Sequence, residues 1–271
     1  MDLRPIGIFD SGVGGLTAVR VMQAQAANER VIYFGDTARV PYGNRTKENI
    51  TELSLQDVRF LRSYNPKAIL IACNTITASC MDVLTKENPE IPIFGVILPA
   101  AAAAAVATKN HKIGIIATKA TVSSGAYDRE LKRILPDIHI FAQACPRLVP
   151  LIESGHIHPG DASVERAAAE YLGPLKTQGV DTVILGCTHY SLIQEIVQNY
   201  MGPDTTLINS GKEAVLSLLE ALQKNGERAP AGEGSDRYFC SARKDDFEKI
   251  AQVFLRKDIH GSVKRINIKQ Y

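Results

Sequence analysis

Short apolar runs punctuate the chain, and between them apolar residues return every three or four positions. The runs predict ten strands, at residues 5–9, 31–34, 68–72, 92–96, 112–117, 138–142, 182–186, 205–209, 236–240 and 263–268. The intervening stretches predict helices. The clearest spans residues 46–64, where Ile50, Leu53, Val58, Leu61 and Tyr64 form one stripe. Residues 99–108 hold a run of alanines that reads as a close-packed helix with Pro99 in its first turn. Residues 225–235, rich in Gly, Pro and Glu, read as a surface loop. Strand and helix alternate, and the strands are continuous apolar runs rather than alternating ones. That combination predicts an α/β protein with mostly parallel, doubly wound sheets buried on both faces.

A faint repeat runs through the pattern. Gly7-Ile8-Phe9-Asp10 opens one half and Gly114-Ile115-Ile116-Ala117 opens another. Each half then delivers a cysteine at the end of an apolar run. The segments are Ile71-Ala72-Cys73-Asn74-Thr75 and Leu185-Gly186-Cys187-Thr188-His189-Tyr190. Ligands in such sheets bind beyond the carboxyl ends of strands. Two facing halves would put Cys73 and Cys187 on opposite walls of one cleft.

Composition narrows the setting. With 31 Lys+Arg against 29 Asp+Glu in 271 residues, the net charge of +2 gives no field to gather nucleic acid or an anionic membrane. No apolar stretch is long enough for a transmembrane helix, and the N-terminus lacks a signal-peptide core. A cytoplasmic protein is expected. Five widely spaced cysteines are not a disulfide framework, so they read as thiols.

Two further loops follow predicted strands. Asp10-Ser11-Gly12-Val13-Gly14-Gly15 can turn tightly and point backbone N–H groups at an anion. It lacks the dinucleotide spacing and the phosphate-loop lysine. Gly35-Asp36-Thr37-Ala38-Arg39-Val40-Pro41-Tyr42-Gly43 carries turn chemistry beside it.

Three chemistries compete for the cysteine pair. Cys73, Cys187 and His189 offer zinc three ligands, without the usual ligand spacing. One cysteine with His189 makes a nucleophile and leaves the other idle. As acid–base groups on opposite faces of one carbon, both have work: one removes a proton and the other delivers one. A helix N-terminus at each thiol favours thiolate, and His189 could hold a protonated state beside Cys187. A carboxylate nearby, Asp10 or Glu153, would oppose ionisation.

At these residues the chain resembles the glutamate racemases of the aspartate/glutamate racemase superfamily. The likeness also takes in Ala117-Thr118-Lys119-Ala120-Thr121-Val122 and Val149-Pro150-Leu151-Ile152-Glu153, so it spans nearly the whole chain. It implies that Cys73 and Cys187 are the acid/base thiols, with Asp10, Glu153 and His189 as polar helpers. It implies substrate contacts from Asp10, Ser11, Tyr42, Gly43, Asn74, Thr75, Thr121, Thr188 and His189. It implies two α/β domains with the site between them, residues 1–97 plus 210–271 and residues 98–209. Glutamate is the implied substrate, turned over without cofactor or metal by a homodimer that supplies D-glutamate for peptidoglycan and cell shape. The chain departs from the family pattern at Ile97-Leu98-Pro99, Arg147 and Ser191. With the first strand starting near Pro5, control through an N-terminal extension by a cell-wall precursor is not expected. The rival readings are a related racemase of aspartate or a hydantoin, and a two-lobed protein that binds an acidic amino acid without turning it over.

Overall fold

The computed structural model describes residues 1–232 and 234–271; the expected loop at 225–235 therefore includes Glu233, outside the described residues. All ten expected strands are present, with ends within two residues of expectation except the last, which stops at Arg265 rather than 268. They are β1 (Ile6–Asp10), β2 (Val31–Gly35), β3 (Ala68–Ile71), β4 (Ile93–Gly95), β5 (Lys112–Ala117), β6 (His139–Ala144), β7 (Thr182–Gly186), β8 (Thr206–Asn209), β9 (Arg237–Cys240) and β10 (Val263–Arg265). Helices fill the intervals: α1 (Leu16–Gln25), α2 (Lys47–Arg62), α3 (Asn74–Glu87), α4 (Ile97–Ala107), α5 (Lys119–Ser124), α6 (Ala126–Ile134), α7 (Leu148–Glu153), α8 (Ala162–Thr177), α9 (Gln194–Met201), α10 (Ser210–Lys224) and α11 (Lys244–Leu255).

The strands form two sheets, ordered β10-β9-β2-β1-β3-β4 and β6-β5-β7-β8. Every pairing is parallel. Four consecutive strands of the first sheet, β2-β1-β3-β4, run in the same order as β6-β5-β7-β8. The repeat seen in the sequence is thus a repeat of topology: β1 corresponds to β5 and β3 to β7. In each sheet the order reverses beside the first strand of the half, at β1/β3 and at β5/β7. That is where an open α/β sheet leaves a crevice for a ligand.

Burial explains the uniform apolar runs. β1, β2, β3 and β7 are buried at every residue, so no polar face can alternate with an apolar one. One apolar cluster extends from Ile6, Leu16 and Val19 in the first half to Ile113, Leu185 and Tyr190 in the second. A second fills the other face of the first sheet around Phe9, Phe34, Phe60 and Phe239. α2 supplies much of that layer through Ile50, Leu53, Val58, Phe60 and Leu61. Its start is capped by the Thr46 hydroxyl, which accepts from the Asn49 N–H. Tyr64, expected on its stripe, lies just past the helix and meets Phe60 edge-on. α4 begins two residues before Pro99, and its alanines 100, 101 and 104 are wholly buried. Small side chains there let α10, which returns the chain to the first sheet, lie close against it. Among the described residues no helix is long and apolar enough to cross a membrane.

Candidate active site

Cys73 caps the start of α3 directly beyond β3, and Cys187 stands directly beyond β7. Corresponding strands of the two sheets thus carry the two sulfurs. Both line a single cavity of about 400 Å³ and are 6% and 8% exposed. The cavity is also lined by Asp10, Ser11, Tyr42, Gly43, Asn74, Thr75, Glu153, Thr188 and His189. Thr121 stands behind this lining. Its hydroxyl lies 3.0 Å from Thr118 Oγ1 and 3.5 Å from Thr75 Oγ1, which do face the cavity.

The polar groups form one connected set. Ser11 Oγ donates to Asp10 Oδ1 at 3.0 Å and lies 3.5 Å from Cys73 Sγ. Thr188 Oγ1 donates to the other Asp10 oxygen at 3.1 Å and lies 3.4 Å from His189 Nδ1. The same ring nitrogen is 3.8 Å from Cys187 Sγ, and His189 Nε2 is 2.9 Å from Glu153 Oε1. Gly14 makes this approach possible: a Cβ there would fall 2.1 Å from Thr188 Oγ1 and 2.6 Å from His189 Nδ1.

The electrostatics of the two sulfurs differ. The sequence predicts a helix N-terminus that favours thiolate at Cys73. In the structure burial comes first and the Asp10 carboxylate second, and together they push this thiol well up. The Ile76 N–H and the Ser11 hydroxyl offset only part of that. Beside Cys187 the buried imidazole of His189 behaves otherwise. Burial alone would lower it, but hydrogen bonds to Cys187 and Glu153 outweigh burial and lift it to about 10. His189 is therefore a cation at neutral pH, facing one sulfur and not the other.

Several expected contacts are already engaged. The Tyr42 hydroxyl turns away from the cavity and donates to Asp36 Oδ2 at 2.5 Å. Asn74 donates through Nδ2 to Ser210 Oγ and accepts at Oδ1 from the Tyr127 hydroxyl, at 3.1 and 2.7 Å. What Asn74 and Thr75 offer freely is the backbone: first-turn N–H groups of a helix have no intrahelical partner.

The lining residues missed at the sequence level as site residues include Thr118, Lys119 and Cys145. Cys145 directly follows β6, as Cys73 follows β3, so its position after an apolar run was the available signal. The Cys145 N–H donates to the Ala117 carbonyl just as the Asp36 N–H donates to that of Asp10, a further sign of the repeat. Of the departures from the family pattern, Arg147 pairs with Glu170 at the surface. Ile97 and Pro99 open α4, away from the sulfurs. Ser191 lies nearer, donating to the Thr188 carbonyl at 2.9 Å. Among the described residues no three His, Cys, Asp or Glu side chains are grouped so as to hold a metal ion.

Fold and site define an α/β protein in which two parallel sheets of like topology bring paired thiols to one cavity. The chain belongs to the Asp/Glu/Hydantoin racemase family, whose pattern matches residues 6–218. It is 42% identical to a glutamate racemase of Pediococcus pentosaceus, over 96% of this chain and 97% of that one. Its fold matches the crystal structure of glutamate racemase RacE1 from Bacillus anthracis with a TM-score of 0.93 and 35% identity, covering 98% of both chains. It also matches glutamate racemase from Francisella tularensis in complex with D-glutamate, with a TM-score of 0.92 and 32% identity over 100% of both.

Proposed function

We propose that this amino-acid racemase interconverts L- and D-glutamate by a two-base mechanism at Cys73 and Cys187. The observation that carries the reading is the placement of both sulfurs, from corresponding strands of two sheets, on one cavity. One sulfur as thiolate removes the α-proton while the other, as thiol, delivers a proton to the far face. The α-carbon is a weak acid, so charge must be drawn into the α-carboxylate by fixed donors. The free N–H groups at the start of α3, with the Thr75 and Thr188 hydroxyls, supply them. Gly43 and the Tyr42 backbone offer a seat at the other end for the side-chain carboxylate. Asp10 and Ser11 serve Cys73, while His189 and Glu153 serve Cys187. Thr121 supports the hydroxyls of Thr75 and Thr118.

The test is α-proton exchange in deuterium oxide. Cys73→Ala and Cys187→Ala should each lose racemisation by roughly 10³-fold or more, the scale of a lost acid–base group. Full racemisation by either variant would rule out the two-base reading. Incubation with L-aspartate and a hydantoin, followed by circular dichroism, separates the related racemases. Solvent deuterium at the α-position excludes a protein that only binds.

The same reading takes residues 1–97 with 210–271 as one domain and 98–209 as the other, the cavity lying between them. It makes the active species a cytoplasmic homodimer, which sedimentation velocity checks, that needs neither pyridoxal phosphate nor metal. Its product would feed peptidoglycan synthesis, and depletion of the protein should leave cells requiring D-glutamate.

A further inference from the structure

Each catalytic cycle leaves a two-base racemase in the wrong state for its next one. The sulfur that took the α-proton is now a thiol, and the sulfur that gave one is a thiolate. Another turnover in the same direction requires one proton to return from the first sulfur to the second. Both are more than nine-tenths buried, so exchange with bulk water through a filled cavity is hindered.

The site contains an internal route. From Cys73 Sγ the contacts run to Ser11 Oγ (3.5 Å), on to Asp10 Oδ1 (3.0 Å), and across that carboxylate to its other oxygen. They continue from Asp10 Oδ2 to Thr188 Oγ1 (3.1 Å), to His189 Nδ1 (3.4 Å) and to Cys187 Sγ (3.8 Å). Every group along it can both accept and give up a proton. Gly14, where any side chain would collide with Thr188 and His189, keeps the middle of the route closed up.

We propose that Ser11, Asp10, Thr188 and His189 form a proton relay that resets the two thiols between turnovers. The inference rests on the reading of Cys73 and Cys187 as the two bases. In one direction His189 gives its Nδ1 proton to the Cys187 thiolate. The Thr188 hydroxyl proton replaces it. The Ser11 hydroxyl proton passes to the Asp10 carboxylate at Oδ1, and the Cys73 thiol proton passes to Ser11. The protonated carboxyl group turns about its Cβ–Cγ bond and hands that proton to Thr188, so Asp10 ends as the carboxylate it began as. The S–H bond at Cys73 has broken, one at Cys187 has formed, and every group between ends as it began. In the other direction the same bonds break and form in reverse. Glu153 stays outside the path and holds the ring through Nε2. The relay gives Ser11 and Thr188 a task between turnovers, beyond contact with substrate.

The experiment follows label rather than rate alone. Enzyme is equilibrated with radiolabelled racemic glutamate and then given a large excess of unlabelled L-glutamate. If the two free forms interconvert slowly, the form left by net L-to-D flux captures labelled D-glutamate and drives label transiently into the L pool. The wild type should show no such transient, and its rate at saturating substrate should not depend on imidazole concentration. Ser11→Ala and Thr188→Val should both show the transient and lose roughly a hundredfold in turnover, the lower end for a missing proton-transfer partner. Added imidazole should shrink the transient in both variants. A variant that turns over without the transient overturns the relay. So does a wild-type transient that imidazole abolishes, because the proton would then be arriving from solution. If both variants are too slow to assay, the wild-type measurement decides. Loss of activity in both cysteine variants with no transient in a relay variant would leave the two-base reading standing and remove the relay alone.

Discussion

His189 shows how a single side chain makes two similar thiols unlike. Its ring is buried, which by itself favours the neutral form, yet it sits between Cys187 and Glu153 and holds its proton up to about pH 10. Glu153 is 42% exposed at its side chain and is the removable half of that arrangement. Glu153→Gln should therefore make His189 lose its proton at a lower pH while leaving the ring in place. Titration of the His189 Cε1–H resonance reads this directly, and an unchanged midpoint would mean that Cys187 alone holds the proton. The paired cysteines, His189 and the glycine loop were legible in the sequence because each lies in a short segment at a strand end. The state of Cys73 was not. The helix start that favours ionisation is local, whereas the burial that opposes it is assembled from both halves of the chain. The same limit applies to Asn74, whose side chain is occupied by Ser210, 136 residues away, and by Tyr127. It applies also to Tyr42, whose hydroxyl serves Asp36 and not the cavity.

At the level of elements, the connection from β2 to α2 carries more than turn chemistry. Arg39 bridges two fully buried carboxylates, meeting Asp36 at 2.5 Å and Asp57 of α2 at 2.7 Å. Asp36 also accepts from Tyr42 and from Ser241, which follows β9. One guanidinium thus ties the cavity turn to a helix and, through Asp36, to the returning C-terminal segment. Arg39→Met leaves those carboxylates without a cation and should cost about 3–5 kcal/mol, read as a fall in the urea midpoint. Asp57→Asn should cost less, because burial first and Asp36 second push the Asp57 carboxyl well up, toward its neutral form. Equal losses in the two variants would show that the charge on Asp57 matters as much as that on Arg39. Every strand was legible because apolar runs mark buried parallel strands wherever they fall. The matching strand order of the two sheets was hinted at only by the faint repeat, since pairing is a long-range choice that no local segment records.

Across the whole molecule, the groups moved furthest by folding are acids held neutral and one base held charged. Burial raises Cys73, Tyr33, Tyr42, Tyr127 and Tyr190 above their ordinary ranges. His189 is raised as well, by its partners. A group whose pKa is higher in the folded chain contributes its full stability below its unfolded pKa and loses it as pH rises through the folded value. For His189 that loss begins near its unfolded value of about 6.5 and continues through about 10. Cys73 joins above its unfolded value, at about pH 8.5–9, and the tyrosines join beyond about 10. The lowered carboxyls have the opposite sign. At Asp181, burial opposes hydrogen bonds from Thr108, Lys109 and Asn110, and the bonds prevail. Its share is present above the ordinary carboxylate range and is lost as pH falls through the lowered value. The molecule should therefore be most stable from about pH 5 to 6.5, decline gently from there to about 9, and fall steeply beyond 10. Urea unfolding at one-unit pH intervals measures the curve. His189→Gln should remove the gentle part between 6.5 and 9 while leaving the steep part, because the buried tyrosines do not depend on it. If the variant keeps the full decline from 6.5, the proton on His189 is not what couples this site to the fold.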